Sequence, residues 1–196
     1  RRPERKKTIR EKVARFRDAV PELAIRTTCI VGFPGETDGD FEQLLEFLQE
    51  IAFERVGAFT YSPQEGTRAA QMADDVPEDV KRHRLERLQE LQRHVTAERY
   101  ETRIGARSRV LVQRSDDGEL PASGRLPWQA DDIDGVTWLD RDAPAGRFAE
   151  VEVLEVVDDY DFRARVLSVD DAPVEAAPAR TRALPVVGSS IGSFGR

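Results

Sequence analysis

Two loops concentrate the residues whose types and spacing could do chemistry. Gly32-Phe33-Pro34-Gly35-Glu36 closes an apolar run with two glycines, so a ligand could approach the backbone, and Glu36 offers it an acceptor. The same string also suits a tight strand-to-helix turn in which Glu36 merely complements a helix dipole. Tyr61-Ser62-Pro63-Gln64-Glu65-Gly66-Thr67 ends the next apolar run. By itself a Ser-Pro turn is only a turn, but two loops at matching positions strengthen a functional reading of both. His83 and His94 lie eleven residues apart. On one helix that is about 16 Å, too far to share a metal, and both read as solvated. Cys29, the sole cysteine, sits inside an apolar run and reads as a small buried hydrophobe. It can build neither a disulfide framework nor a cysteine-ligated zinc or iron-sulfur site, and no metal-ligand set is identified. Trp128 and Trp138 could stack bases, but Asp131, Asp132, Asp134, Asp140 and Asp142 surround them and favour core packing or protein contact.

Positioning the two loops requires a layered framework. Ile9, Val13, Phe16 and Val20 place one apolar stripe on a helix from about Glu4 to Val20, closed by Pro21. Leu23 to Phe33 is apolar and β-branched without clean alternation, as expected of a parallel strand covered on both faces. Thr37 and Asp40 form a capping-box signature for a helix carrying Phe41, Leu44, Leu45, Leu48 and Ile51. Arg55 to Tyr61 is the next strand. After a linker at 71–76, Pro77 opens a long helix to about Thr102, with Val80, Leu88, Leu91 and Val95 on one stripe. This alternation is the grammar of a parallel α/β layer with crossover helices.

From Ala106 the texture changes. Arg109–Arg114, Gly135–Asp140, Phe148–Val157 and Phe162–Val169 read as short strands between turn residues, which predicts a small all-β, OB-like barrel or sandwich over 103–170. Residues 171–196 are rich in Ala, Pro, Gly and Ser and read as a disordered tail. The domain plan is thus 1–76, a connecting helix over 77–102, the β domain at 103–170, and the tail.

With 196 residues and 39% apolar content, the chain can fill one large domain or two small ones. No run of 18 apolar residues predicts a membrane span. The lone cysteine suits a reduced, cytoplasmic setting, and the opening Arg1-Arg2-Pro3 reads as the edge of a longer protein. The net charge of -7 is unevenly laid out: residues 1–17 hold nine Lys or Arg against two Glu, whereas 103–170 hold nine basic against fifteen acidic residues. An acidic β domain suits a basic protein partner better than nucleic acid.

Arg26-Thr27-Thr28-Cys29-Ile30-Val31-Gly32-Phe33-Pro34-Gly35-Glu36-Thr37, then Arg55-Val56-Gly57-Ala58-Phe59-Thr60 running into the Tyr61–Thr67 loop, then Val76-Pro77-Glu78, resemble the radical SAM methylthiotransferase family. The resemblance covers about residues 1–170. It implies the C-terminal part of a radical SAM partial (β/α) barrel followed by a TRAM domain, a five-stranded antiparallel barrel. Thr28 and Gln64-Glu65 fit the branch that methylthiolates the β-carbon of an aspartate in a small-subunit ribosomal protein. The alternatives are the branch acting on tRNA adenosine, or a non-catalytic binding module working through the TRAM domain. The family's reaction uses S-adenosylmethionine and two 4Fe-4S clusters; one cluster cleaves S-adenosylmethionine to a radical that abstracts the hydrogen, and the other supplies sulfur. The resemblance places Gly32, Phe33, Pro34, Gly35 and Glu36 at the S-adenosylmethionine site and Tyr61, Ser62 and Glu65 on the substrate-facing rim. The cluster cysteines are absent, which predicts that this chain alone is inactive and contributes no catalytic residue of its own. A basic ribosomal protein is the expected partner, tRNA the lesser one, with no membrane, and a monomer is expected.

Overall fold

The computed structural model describes residues 6–131 and 133–172; Asp132, residues 1–5 and residues 173–196, which hold most of the expected disordered tail, lie outside the described residues. Helix α1 (Lys6–Ala19), strand β1 (Arg26–Val31), helix α2 (Asp38–Ile51), strand β2 (Arg55–Thr60) and helix α3 (Glu78–Glu101) form the first layer. Strands β1 and β2 are parallel, paired from Arg26 with Arg55 to Val31 with Thr60. The capping box at α2 is formed: the Asp40 amide donates to Thr37 Oγ1 at 3.2 Å, and the Thr37 amide donates to Asp40 Oδ2 at 3.1 Å.

The helices cover one side of this two-stranded sheet. Cys29, Val56 and Ala58 pack toward a core of Val13, Val31, Phe41, Leu48, Ile51 and Leu88. The other side, with Thr28, Ile30, Gly57 and Phe59, is exposed, so the expectation of cover on both faces is corrected: no described element lies over that side. The α1 stripe is corrected likewise. Val13 is buried and Ile9 packs beside it, but Phe16 and Val20 remain about half exposed.

Strands β3 (Arg107–Arg114), β4 (Ser123–Arg125), β5 (Thr137–Leu139), β6 (Phe148–Val157) and β7 (Asp161–Val169) close into a barrel in the order β3-β4-β5-β7-β6. Four of its pairings are antiparallel. The expected wholly antiparallel barrel is corrected at one seam: β5 and β7 run parallel, Thr137 beside Phe162. Closure removes the free edges such short strands would otherwise expose. Inward residues such as Val110, Val112, Val151, Val153, Phe162 and Ala164 fill the interior.

Helix α3 belongs to both halves. Leu88 packs under the parallel sheet, whereas Tyr100, twelve residues on, enters the barrel core against Phe162 with ring centroids 4.8 Å apart. The barrel meets the sheet at the first residues of β1 and β2. Asp134, in the β4–β5 connection, takes Arg26 Nη1 at 2.8 Å and lies 3.1 Å from Arg55 Nε. The Arg55 guanidinium also lies 3.8 Å over the Tyr160 ring. The loops that carry the candidate chemistry leave the opposite strand ends.

Candidate functional site

Gly32 follows Val31 directly and turns the chain with φ +72°, a conformation favouring glycine. A side chain is also sterically barred there: a Cβ would sit 2.3 Å from Cγ of Lys81. The Glu36 amide donates to the Phe33 carbonyl at 2.8 Å, closing the turn. Glu36 itself bends back: its Oε1 accepts the Gly32 amide at 2.9 Å and Arg84 Nη1 at 2.8 Å. This carboxylate therefore shapes the loop from within. The Gly35 amide donates to Asp75 Oδ1 at 2.8 Å, while the space a Cβ on Gly35 would occupy is open. Pro34 is buried and Phe33 exposed.

The second loop meets the first. The Tyr61 amide donates to the Val31 carbonyl at 2.8 Å, extending the strand pairing by one step, and the Tyr61 ring meets Phe33 edge-on at 5.3 Å. Its ring is buried, and its hydroxyl, also buried, has no partner among the described residues. Beyond it Ser62 and Glu65 are exposed, and Thr67 folds onto the Gln64 carbonyl at 2.8 Å. The structure thus brings Gly32–Glu36 together with Tyr61 and leaves Ser62 and Glu65 farther out on the same rim.

Two residues of α3 that sequence patterning did not single out organise this rim from beneath. Lys81 is buried under Gly32; its Nζ donates to Asp74 Oδ2 at 2.6 Å and Glu78 Oε1 at 2.7 Å and lies 5.6 Å from the Tyr61 ring centroid. The Asp74 and Glu78 carboxylates hold its ammonium above the ordinary lysine range. Arg84, also buried, reaches Glu36 and, through Nη2, Asp38 Oδ1 at 2.7 Å. Their signal was spacing: Lys81, Arg84 and Leu88 fall at i, i+3 and i+7 on the stripe that faces the sheet.

The other candidates separate from the rim. His83 and His94 are exposed. Cys29 packs beside the core, and burial pushes its thiol up, away from reactivity. Trp128 is buried in the barrel core, and Trp138 is tied by its Nε1–H to Asp161 Oδ2 at 3.1 Å. On the barrel exterior, ion pairs join Arg109 to Glu150, Arg163 to Glu155 and Arg165 to Glu152. A hollow of about 400 Å³ opens on the barrel between Arg109, Leu111, Arg125, Pro127 and Phe148, apart from the two loops.

The rim fits an adenosyl group: an exposed phenyl ring, an orphaned buried hydroxyl and open space over a glycine backbone lie together. It does not fit an iron-sulfur cluster, since the chain has one cysteine and, among the described residues, no group of three His, Cys, Asp or Glu could hold a metal. Nor is any described helix long and apolar enough to cross a membrane.

Comparison with known proteins matches residues 104–167, the closed barrel, to the TRAM domain. Over 182 residues the chain is 44% identical to the ribosomal protein uS12 methylthiotransferase RimO of Anaeromyxobacter sp. (strain K), covering 90% of this chain and 38% of that protein. Over most of its length the chain is similar to RimO proteins. The RimO of Geobacter sulfurreducens is 42% identical over 82% of the chain and 36% of its own length, and that of Proteus mirabilis 43% over 78% and 34%. The chain thus spans less than two fifths of the length of these RimO relatives.

Proposed function

We propose that this chain is part of a radical SAM methylthiotransferase that modifies the β-carbon of an aspartate in ribosomal protein uS12, in the cytoplasm. Residues 1–76 would belong to the catalytic layer, α3 within 77–102 would connect, and the barrel within 103–170 would recruit the protein substrate. The observation that carries the reading is the meeting of the two strand-end loops, Phe33 against Tyr61, at the C-terminal ends of parallel strands, where α/β folds bind their ligands.

Bound at this rim, S-adenosylmethionine would supply the radical chemistry and the methyl group that no acid or base side chain can provide for an unactivated carbon. The chain's own residues orient and enclose. Phe33 offers a face for the adenine, and the Tyr61 hydroxyl offers a hydrogen bond in a water-poor position. The backbone at Gly35 allows close approach, and Glu36 holds the turn in shape. Ser62 and Glu65 face outward, where a docked substrate would pass. Because the cluster ligands do not come from this chain, it would bind and position without catalysing the transfer by itself.

The acidic barrel favours a basic protein over tRNA as the recruited partner. Titrating the chain with uS12 and, separately, with tRNA tests this. Saturable uS12 binding that weakens with salt, with tRNA at least tenfold weaker, is the expected result. Tight, steeply salt-dependent tRNA binding without uS12 binding would instead assign the chain to tRNA modification.

A further inference from the structure

The Gly32–Glu36 loop is held from behind by a single guanidinium. Arg84 is 5% exposed. Its Nη1 lies 2.8 Å from Glu36 Oε1 and 3.3 Å from the Glu36 carbonyl, while Nη2 reaches Asp38 Oδ1 at 2.7 Å. The oxygen it grips on Glu36 also accepts the Gly32 amide at 2.9 Å. We propose that Arg84 is a positioning residue for cofactor binding: acting through Glu36, it fixes the Gly32 amide and so sets the Phe33 ring and the Gly35 backbone on the rim. The proposal rests on the cofactor reading of this loop.

Three observations separate this role from ordinary helix packing. First, the neighbouring pair Arg87–Glu42, with Nη1 to Oε1 at 2.6 Å, already ties α3 to α2 on the surface, and it touches no loop residue. A surface pair suffices for that purpose, so burying a second arginine, with its desolvation cost, needs another reason. Second, Arg84 spans two carboxylates with its planar fork, a geometry a lysine ammonium cannot reproduce. Third, being buried, Arg84 lies beneath the rim where a ligand would sit, so its influence passes through Glu36 and Gly32. Lys81 supports the same floor, its alkyl chain filling the space under Gly32.

The test uses the whole chain and two readouts, amide hydrogen exchange at Gly32 and equilibrium binding of S-adenosylmethionine. Arg84→Met should speed Gly32 exchange about tenfold beyond any change at core amides such as Leu48, and weaken S-adenosylmethionine about tenfold, as expected for losing one charge-assisted hydrogen bond. Arg84→Lys should recover part of both, and Arg87→Met neither readout should notice. The double variant Arg84→Met/Glu36→Gln should lose no more affinity than Arg84→Met alone, because the two residues act in series. It also removes the unpaired buried carboxylate, which keeps the comparison usable if Arg84→Met folds poorly. Additive losses, or unchanged Gly32 exchange in Arg84→Met, overturn the proposal. Should the wild-type chain not bind S-adenosylmethionine, the cofactor reading of the loop falls and the positioning proposal with it, whereas binding by wild type with exchange unaltered in Arg84→Met sinks the positioning proposal alone.

Discussion

Glu54 stands just before β2, 2% exposed, and ties three elements together. Its Oε2 accepts the Ile25 amide at 2.8 Å, its Oε1 takes Arg99 Nη2 of α3 at 2.5 Å, and Arg17 of α1 approaches at 3.3 Å. Burial pushes this carboxyl up, but the Ile25 amide and Arg99 outweigh burial and leave it below the ordinary range. The stability it contributes is therefore complete above the unfolded value of about 4.3 and is lost as pH falls through the lowered folded value. Glu54→Gln should cost on the order of 2–3 kcal/mol at pH 7, less than a fully buried pair because both arginines keep partial contact with water. That deficit should shrink at pH 3, read by urea denaturation at each pH. Sequence could not reveal this residue. Its partners lie 29 to 45 positions away, and Phe53-Glu54-Arg55 carries no local pattern. Gly32–Glu36 and Tyr61 were legible because turn chemistry at strand ends is local; Lys81 and Arg84 were not singled out, because a charged side chain on a helix ordinarily lies in solvent.

Elements with strong periodicity were read well. The capping box placed α2, and the stripe through Leu88 and Val95 placed α3. Strand β4 escaped notice, since Ser123-Gly124-Arg125 is three residues long and lacks β-branched side chains. Its identity comes from tertiary fit. A Cβ at Gly124 would lie 2.2 Å from the Leu111 carbonyl oxygen, so β3 and β4 pair only because that position carries none. Gly124→Ala should force the strands apart and destabilise the chain by on the order of 3 kcal/mol. Guanidinium denaturation followed by tryptophan fluorescence, with Trp128 in the barrel core, provides the measurement. The parallel β5–β7 seam was equally invisible, because pairing direction follows from closure and not from any residue in β5.

At the scale of the molecule, the α/β grammar and the change of texture near residue 106 were visible as composition, whereas the joint between the halves was not. Asp134, 3% exposed, answers Arg26 and Arg55 from the far half of the chain, and its Oδ2 also accepts the Ala130 amide at 2.9 Å. Asp134→Asn should leave two arginine charges underpaired and cost about 3 kcal/mol. Calorimetry should then resolve two transitions where the parent chain shows one, as the barrel loses its coupling to the parallel sheet. A single transition at an unchanged midpoint would show that Tyr100 and α3 suffice to couple the halves.

Because the barrel meets β1 and β2 at their first residues, six strand residues separate that junction from the loops, a distance of about 20 Å. On the proposed reading, a protein engaged by the barrel would not offer its aspartate from the patch that is gripped. It would have to hold out a projecting loop or tail at least that long, so the geometry would act as a ruler, rejecting basic surfaces that bind the barrel equally well but carry no extended arm.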